Sequence, residues 1–141
     1  DTHDFIKPLI TGRSLHVCAG NSLLCDVRVD IEKQDIQDTK DGFILGDMFE
    51  LNDVLKKKGI KPQSFDTVLC DPVWNLGYHV RHKLIYNLRD QIKPGGKLIF
   101  NCLWFPKIKT MKLEEMYVGM NNMAWRNVSL IAIYKKIQAQ L

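Results

Sequence analysis

The sequence predicts an α/β fold built on one mostly parallel sheet, and three observations lead there. Short apolar runs recur along residues 14–102 with polar connections between them. Several are nearly unbroken hydrophobic stretches, the pattern of parallel strands buried on both faces. Two stretches between them carry apolar residues at helical spacing, and strand–helix alternation builds a parallel sheet covered by helices. The end of the chain breaks this rhythm with two strand-like runs and no helix between them, the signature of an antiparallel hairpin.

In chain order, the predicted strands are Ser14–Ala19 (SLHVCA), Val27–Ile31 (VRVDI), Phe43–Leu45 (FIL), Phe65–Cys70 (FDTVLC) and Lys97–Cys102 (KLIFNC). A helix over Phe49–Lys58 puts Leu51, Val54 and Leu55 on one stripe and stops at Gly59. A second, Tyr78–Ile92, puts Leu84, Ile85, Leu88 and Ile92 on one face. Lys93–Gly96 (KPGG) supplies the stop and the re-entry into the next strand. Lys112–Met120 and Asn127–Lys135 form the hairpin, turning around Asn121–Asn122. Only Asn21–Asp26 separate the first two strands, whereas a parallel crossover normally takes about a dozen residues. The first crossover helix is therefore short or missing, or Val27–Ile31 is not a neighbouring parallel strand.

A length of 141 residues fits one domain, 1–141, and 45% hydrophobic with 26% charged residues is ordinary for a soluble globular chain. No apolar run approaches the ~20 residues of a membrane span and no signal-peptide pattern opens the chain, so no membrane association is expected. Cys18, Cys25, Cys70 and Cys102 lack C-x-x-C spacing and read as free thiols of a cytoplasmic protein, not as a disulfide or zinc framework. His79 and His82 stand three apart on the second helix without an evident third ligand, so no metal is expected. Charge is uneven: residues 1–71 hold 9 basic and 13 acidic residues, residues 72–141 hold 11 and 3. The basic half fits an anionic partner such as nucleic acid, or lysines that merely solvate helix faces and strand ends.

In open parallel sheets, ligands bind beyond the carboxyl ends of the strands. Those positions hold CAGNS after the first strand, Asp30 in the second, GDMF after the third and DPVW after the fourth. Together they resemble the class I S-adenosylmethionine-dependent methyltransferases, a Rossmann-like fold. Leu15–Ser22 (LHVCAGNS) is similar to the first motif of that family, a strand entering a glycine turn under the methionine part of the cofactor. The resemblance places Cys18, Ala19, Gly20 and Asn21 there, with Cys18 standing where an acid is usual. It implies that Asp30, followed by Ile31, accepts hydrogen bonds from the ribose hydroxyls. It likewise implies that Asp47 meets the adenine amine while Met48 and Phe49 cover the ring. Asp30 also reads as a solvated acid, and Asp47 as a helix N-cap.

DPVW (Asp71–Trp74) resembles the Asp/Asn-Pro-Pro-aromatic motif of amino-directed methyltransferases, with Val73 in place of the second proline. The nearest likeness is to enzymes that methylate the exocyclic amine of adenine. An arylamine is a poor nucleophile because its lone pair is spread into the ring. The Asp71 carboxylate and the Pro72 carbonyl can accept both N–H bonds and stabilise the charge that develops on attack. Trp74 would stack on the base, which a duplex must flip out. Asn101 and Trp104 follow the fifth strand on the same sheet edge, and Lys107, Lys109 and Lys112 are expected beside the site to meet phosphates or solvent. The resemblance thus implies S-adenosylmethionine as cofactor, catalysis by Asp71, Pro72 and Trp74, and DNA or RNA as the acceptor. Methylation of a protein or small-molecule amine remains open. So does a catalytically silent subunit working in a homo-oligomer or with a partner.

Overall fold

The computed structural model describes residues 2–72, 78–102, 105–120 and 128–137. Seven strands form one sheet: β1 (Ser14–Val17), β2 (Val27–Asp30), β3 (Phe43–Leu45), β4 (Phe65–Cys70), β5 (Ile92–Asn101), β6 (Met111–Met120) and β7 (Val128–Lys136). In space they run β3-β2-β1-β4-β5-β7-β6. β1 to β5 are mutually parallel, and β7 runs antiparallel to both β5 and β6. This is a Rossmann-like sheet with the C-terminal antiparallel pair expected from the sequence. Strand order reverses between β1 and β4, so the carboxyl ends of these two strands flank the crevice where such folds take ligands.

The alternating side chains of the strands build two unequal layers. Leu15, Val17, Val29, Val68 and Leu98 point to the face covered by α2 (Leu51–Lys56) and α3 (Tyr78–Asp90), which contribute Leu51, Leu55, Leu84, Ile85 and Leu88. The other face holds a smaller cluster, Ile6, Cys25, Leu69, Ile99 and Ile131. Ile6 ends α1 (Thr2–Ile6), a helix the sequence reading did not anticipate. On the first face, Cys102, Phe105, Ile108 and Met111 pack into the core as the chain passes from β5 to β6, so an apolar strap does the covering of a helix. Tyr134 Oη–H donates to Pro106 O at 2.9 Å and pins this strap.

The first crossover helix is short or missing as expected: no helix joins β1 to β2, and β2 pairs directly and in parallel with β1. Several other expectations are corrected. β1 ends at Val17 instead of Ala19, because Cys18 turns to φ 61° and leaves the ladder, and β2 ends at Asp30 instead of Ile31. A 3₁₀ turn over Met48–Glu50 precedes α2, and a second, over Asp35–Thr39, lies between β2 and β3. Lys93–Gly96 is not a turn between elements: α3 stops at Asp90 and KPGG lies inside β5. The β4–β5 register jumps there from Phe65↔Ile92 to Thr67↔Lys97, so the segment bulges out of the ladder. The Asn121–Asn122 turn lies outside the described residues.

Lys112 is also misplaced by the sequence reading. It pairs with Lys135, which pairs with Lys97, which pairs with Thr67. That row lies where the parallel strands begin, about four residues or ~13 Å along the sheet from their carboxyl ends.

Among the described glycines, Gly42, just before β3, has the least room for a β-carbon. Its φ is +106°, and a Cβ there would run into the carbonyl oxygen of Asp26. Its own carbonyl accepts the Arg28 N–H at 2.8 Å. Gly42→Ala is expected to destabilise the chain by about 2 kcal/mol or more. Urea unfolding should show a lower midpoint at unchanged slope.

Candidate functional site

The carboxyl ends of β1 to β4 converge on one cavity. After Val17 the chain makes a compact turn in which Cys18 (φ 61°) and Gly20 (φ 53°) are both left-handed. Such a φ disfavours a β-carbon, so Cys18 holds local strain while Gly20 adopts it freely. Gly20 N–H donates to Asp30 Oδ2 at 2.8 Å, and Ala19 N–H donates to Val29 O at 3.2 Å. The end of β2 therefore holds the end of β1. Asp30 Oδ1 accepts Glu32 N–H at 3.2 Å. A carboxylate offers about four acceptor positions, so this one retains capacity for further donors.

Behind the turn, Gln37 Nε2–H donates to Gly20 O at 2.7 Å and to Ser22 O at 2.9 Å. Beyond β3, Gly46 N–H donates to Asp30 O at 2.9 Å, bringing the next loop alongside. Asp47 caps the 3₁₀ turn, its Oδ1 accepting Phe49 N–H at 2.9 Å. Asn87 of α3 reaches the Met48 and Phe49 carbonyls at 3.4 Å. Cys18 Sγ–H points to Met48 Sδ at 3.3 Å, joining the two loops. At the end of β4, Asp71 Oδ1 accepts the Asn101 side-chain amide at 3.0 Å, while Pro72 is buried.

The cavity between these loops measures about 460 Å³ and is lined by Cys18, Gly20, Val29, Asp30, Ile31, Gly46, Asp47, Met48, Phe49 and Asp71. That volume suits a drug-sized or nucleoside-sized ligand. Three of its walls are carboxylates, and among the described residues no lysine, arginine or histidine lines it. Ile31 is 67% exposed beside Asp30, an apolar face left open at the mouth.

Of the residues singled out from sequence, Cys18, Gly20, Asp30, Ile31, Asp47, Met48, Phe49 and Asp71 line this one cavity. Ala19 is buried and Asn21 is exposed, and neither is among the lining residues. Trp74 and Trp104 lie outside the described residues. Asp47 performs the capping role and lines the cavity as well. The reading assigned no role to Val29, Gly46 or Gln37. Gly46 had a signal, a glycine at a strand end directly before an acid, whereas nothing local marks Gln37. Among the described residues no group of three or more His, Cys, Asp or Glu is arranged to hold a metal ion. A second cleft of about 500 Å³ opens at the opposite rim among Asp66, Lys93, Lys97, Glu114, Glu115 and Lys135. Its charges are of both signs, and Lys93 already pairs with Asp66 at 3.4 Å.

Burial raises the Cys25 thiol from 9.0 to about 11 and that of Cys102 to about 12, and it raises Cys70 as well, with Cys18 adding to the effect. A thiolate is the nucleophilic form, so none of these three is poised for covalent catalysis.

No protein-family model matches the sequence, and no curated protein matches it. Solved structures do match. One is the N-methyltransferase NodS from Bradyrhizobium japonicum, in complex with S-adenosyl-L-homocysteine. It is 12% identical at a TM-score of 0.72, over 97% of this chain and 85% of that one. Another is the Burkholderia thailandensis 1,6-didemethyltoxoflavin-N1-methyltransferase, with bound 1,6-didemethyltoxoflavin and S-adenosylhomocysteine. It is 9% identical at 0.71, over 96% and 75%. A third is the magnesium protoporphyrin IX methyltransferase from Synechocystis with bound SAM, 15% identical at 0.69, over 96% and 78%. At such identities the likeness establishes the fold, a Rossmann-like methyltransferase fold.

The thiols give a direct test. With iodoacetamide at about pH 8, Cys18, half-buried at the cavity, should be alkylated first. Cys25, Cys70 and Cys102 should react only on unfolding, as peptide mass spectrometry would read. The raised thiols stay protonated in the fold, so their stabilising effect is full below pH 9.0 and is lost as pH rises towards about 11. The urea midpoint should fall across that window.

Proposed function

We propose that this chain binds S-adenosylmethionine at the carboxyl rim and transfers its methyl group to an amino nitrogen. One observation carries the reading: the cavity at the strand-order switch is walled by Asp30, Asp47 and Asp71, with no cation among the described residues that line it. Dinucleotides and nucleoside triphosphates need N–H donors at a helix N-terminus, or basic side chains, around their phosphates. Here the turn after β1 leads into no helix. A nucleoside without phosphate, carrying positive charge, fits such walls.

S-adenosylmethionine supplies, when bound, an electrophilic methyl group on a sulfonium. Asp30 has acceptor capacity for two ribose hydroxyls after holding Gly20 and Glu32. Ile31, Met48 and Phe49 offer apolar surface for adenine, with Asp47 at its edge. Gly20 leaves nothing within 4 Å of where a β-carbon would stand, so the turn presents bare backbone to the amino-acid arm. Asn101 fixes the rotation of the Asp71 carboxylate, which would accept an N–H of the acceptor amine together with the Pro72 carbonyl. These groups orient the nitrogen and stabilise its developing charge; the proton leaves afterwards.

Within this reading the favoured acceptor is the exocyclic amine of adenine in DNA or RNA, on the likeness of DPVW to adenine-directed enzymes, with Trp74 as the stacking ring. A small-molecule or protein amine is the second reading. The row Lys97, Lys135 and Lys112 favours it, since those cations lie at the rim away from Asp71.

Calorimetry with S-adenosylhomocysteine is the first experiment. Binding is expected, and Asp30→Ala should weaken it about tenfold or more, since the carboxylate serves both turn and ribose. No heat of binding to the wild type would remove the cofactor reading. Asp71→Ala should keep the affinity for S-adenosylhomocysteine within a few-fold and lose transfer about 100-fold or more. Tritiated-methyl transfer to DNA, RNA, protein and small-amine pools would measure this, and the labelled pool identifies the acceptor.

A further inference from the structure

The crossover from β1 to β2, residues 18–26, contains no helix that could order its backbone. Its carbonyls are instead gathered by side chains from β2 and the β2–β3 connection. Gln37 donates to Gly20 O and Ser22 O, and Lys40 Nζ donates to Leu23 O at 2.9 Å. Arg28 Nη1 donates to Cys25 O at 3.1 Å. Gln37 is 2% exposed and Arg28 is fully buried, and Arg28 Nε–H donates to Gln37 Oε1 at 2.7 Å. The remaining Arg28 donors reach the Lys40 and Asp41 carbonyls. Both ends of the Gln37 amide are therefore committed, and its orientation is set by the arginine behind it. Gly20 is held from two sides, by Asp30 on its N–H and by Gln37 on its carbonyl.

We infer that Gln37, braced by Arg28, is the positioning residue that holds the Gly20 turn in its ligand-binding shape, a role otherwise open to a crossover helix. Gln37 is not among the residues lining the cavity, so it acts through the turn and touches no ligand. This inference rests on the cofactor reading above. It adds that the amino-acid arm, lying over the Gly20 turn, depends on Gln37 more than the nucleoside does. The nucleoside is held chiefly by Asp30 and the Asp47–Phe49 loop.

Two ligands separate these contributions. S-adenosylhomocysteine carries the amino-acid arm, and 5′-methylthioadenosine keeps the nucleoside and thioether without it. Gln37→Glu retains the acceptor for Arg28 and removes the donor to both carbonyls. Gln37→Met keeps the volume and removes both functions. Each folded variant is expected to bind S-adenosylhomocysteine about tenfold more weakly, with 5′-methylthioadenosine changed by less than about threefold. A general loosening would weaken both ligands alike, and that result overturns the proposal. So does unchanged affinity for S-adenosylhomocysteine in a folded variant. If neither variant folds, Gln37 serves stability and the positioning role is rejected. Failure of the wild type to bind S-adenosylhomocysteine would instead fall on the cofactor reading.

Discussion

The hydrogen bond from Gly20 N–H to Asp30 Oδ2, 2.8 Å long, ties the end of β1 to the end of β2 and holds the rest of the rim in place. A parallel crossover without a helix would leave its carbonyls and N–H groups to water or to strain. Here Asp30 takes the N–H of the turn, Gln37 takes its carbonyl, and Arg28 sets Gln37. Gly46 N–H then rests on Asp30 O and brings the third loop alongside the first two. The walls drawn from residues 18–49 are consequently one hydrogen-bonded unit, and Asp71, held by Asn101, closes the cavity from the end of β4.

Burying Arg28 completely is costly unless every donor finds an acceptor in good geometry. Its partners are almost all backbone carbonyls of the two connections it joins, Cys25 O on one side and Lys40 and Asp41 O on the other. A carboxylate partner would fix one point, whereas carbonyls from several loops fix their mutual spacing. The guanidinium thus does a helix's work with far fewer residues. The same economy appears after β5, where an apolar strap replaces helix packing on the face that α2 and α3 cover.

Most of the fold and most of the rim could be read from sequence because both rest on local pattern. Continuous apolar runs named the strands, and the residue after each strand end named the cavity wall. Asp30, Asp47 and Asp71 needed only the rule that parallel strands present their carboxyl ends to ligand. What escaped was non-local. Gln37 sits in a polar, acidic stretch and gains its role only when β2 and β3 pair. The KPGG segment has the composition of a connection, yet pairing on both sides of it keeps it within β5 as a bulge. Lys112 looked close to the site in sequence, but the strap returns the chain to the opposite rim before β6 begins.

That last displacement bears on chemistry. Carboxylates line the cavity where the parallel strands end, whereas Lys97, Lys135 and Lys112 form a row where they begin, among acids such as Asp66, Glu114 and Glu115. At ~13 Å apart the two are separated by more than a Debye length at physiological salt, so the lysines barely offset the carboxylates in solvent. Among the described residues the cavity walls therefore carry net negative charge, which favours a cationic ligand and, on the proposed reading, charge building up on a nitrogen under attack. It also disfavours close approach of phosphate unless other groups intervene. On the proposed reading, recognition along the described rim would be of the amine and its ring, and affinity for a polyanion would have to come from beyond that rim.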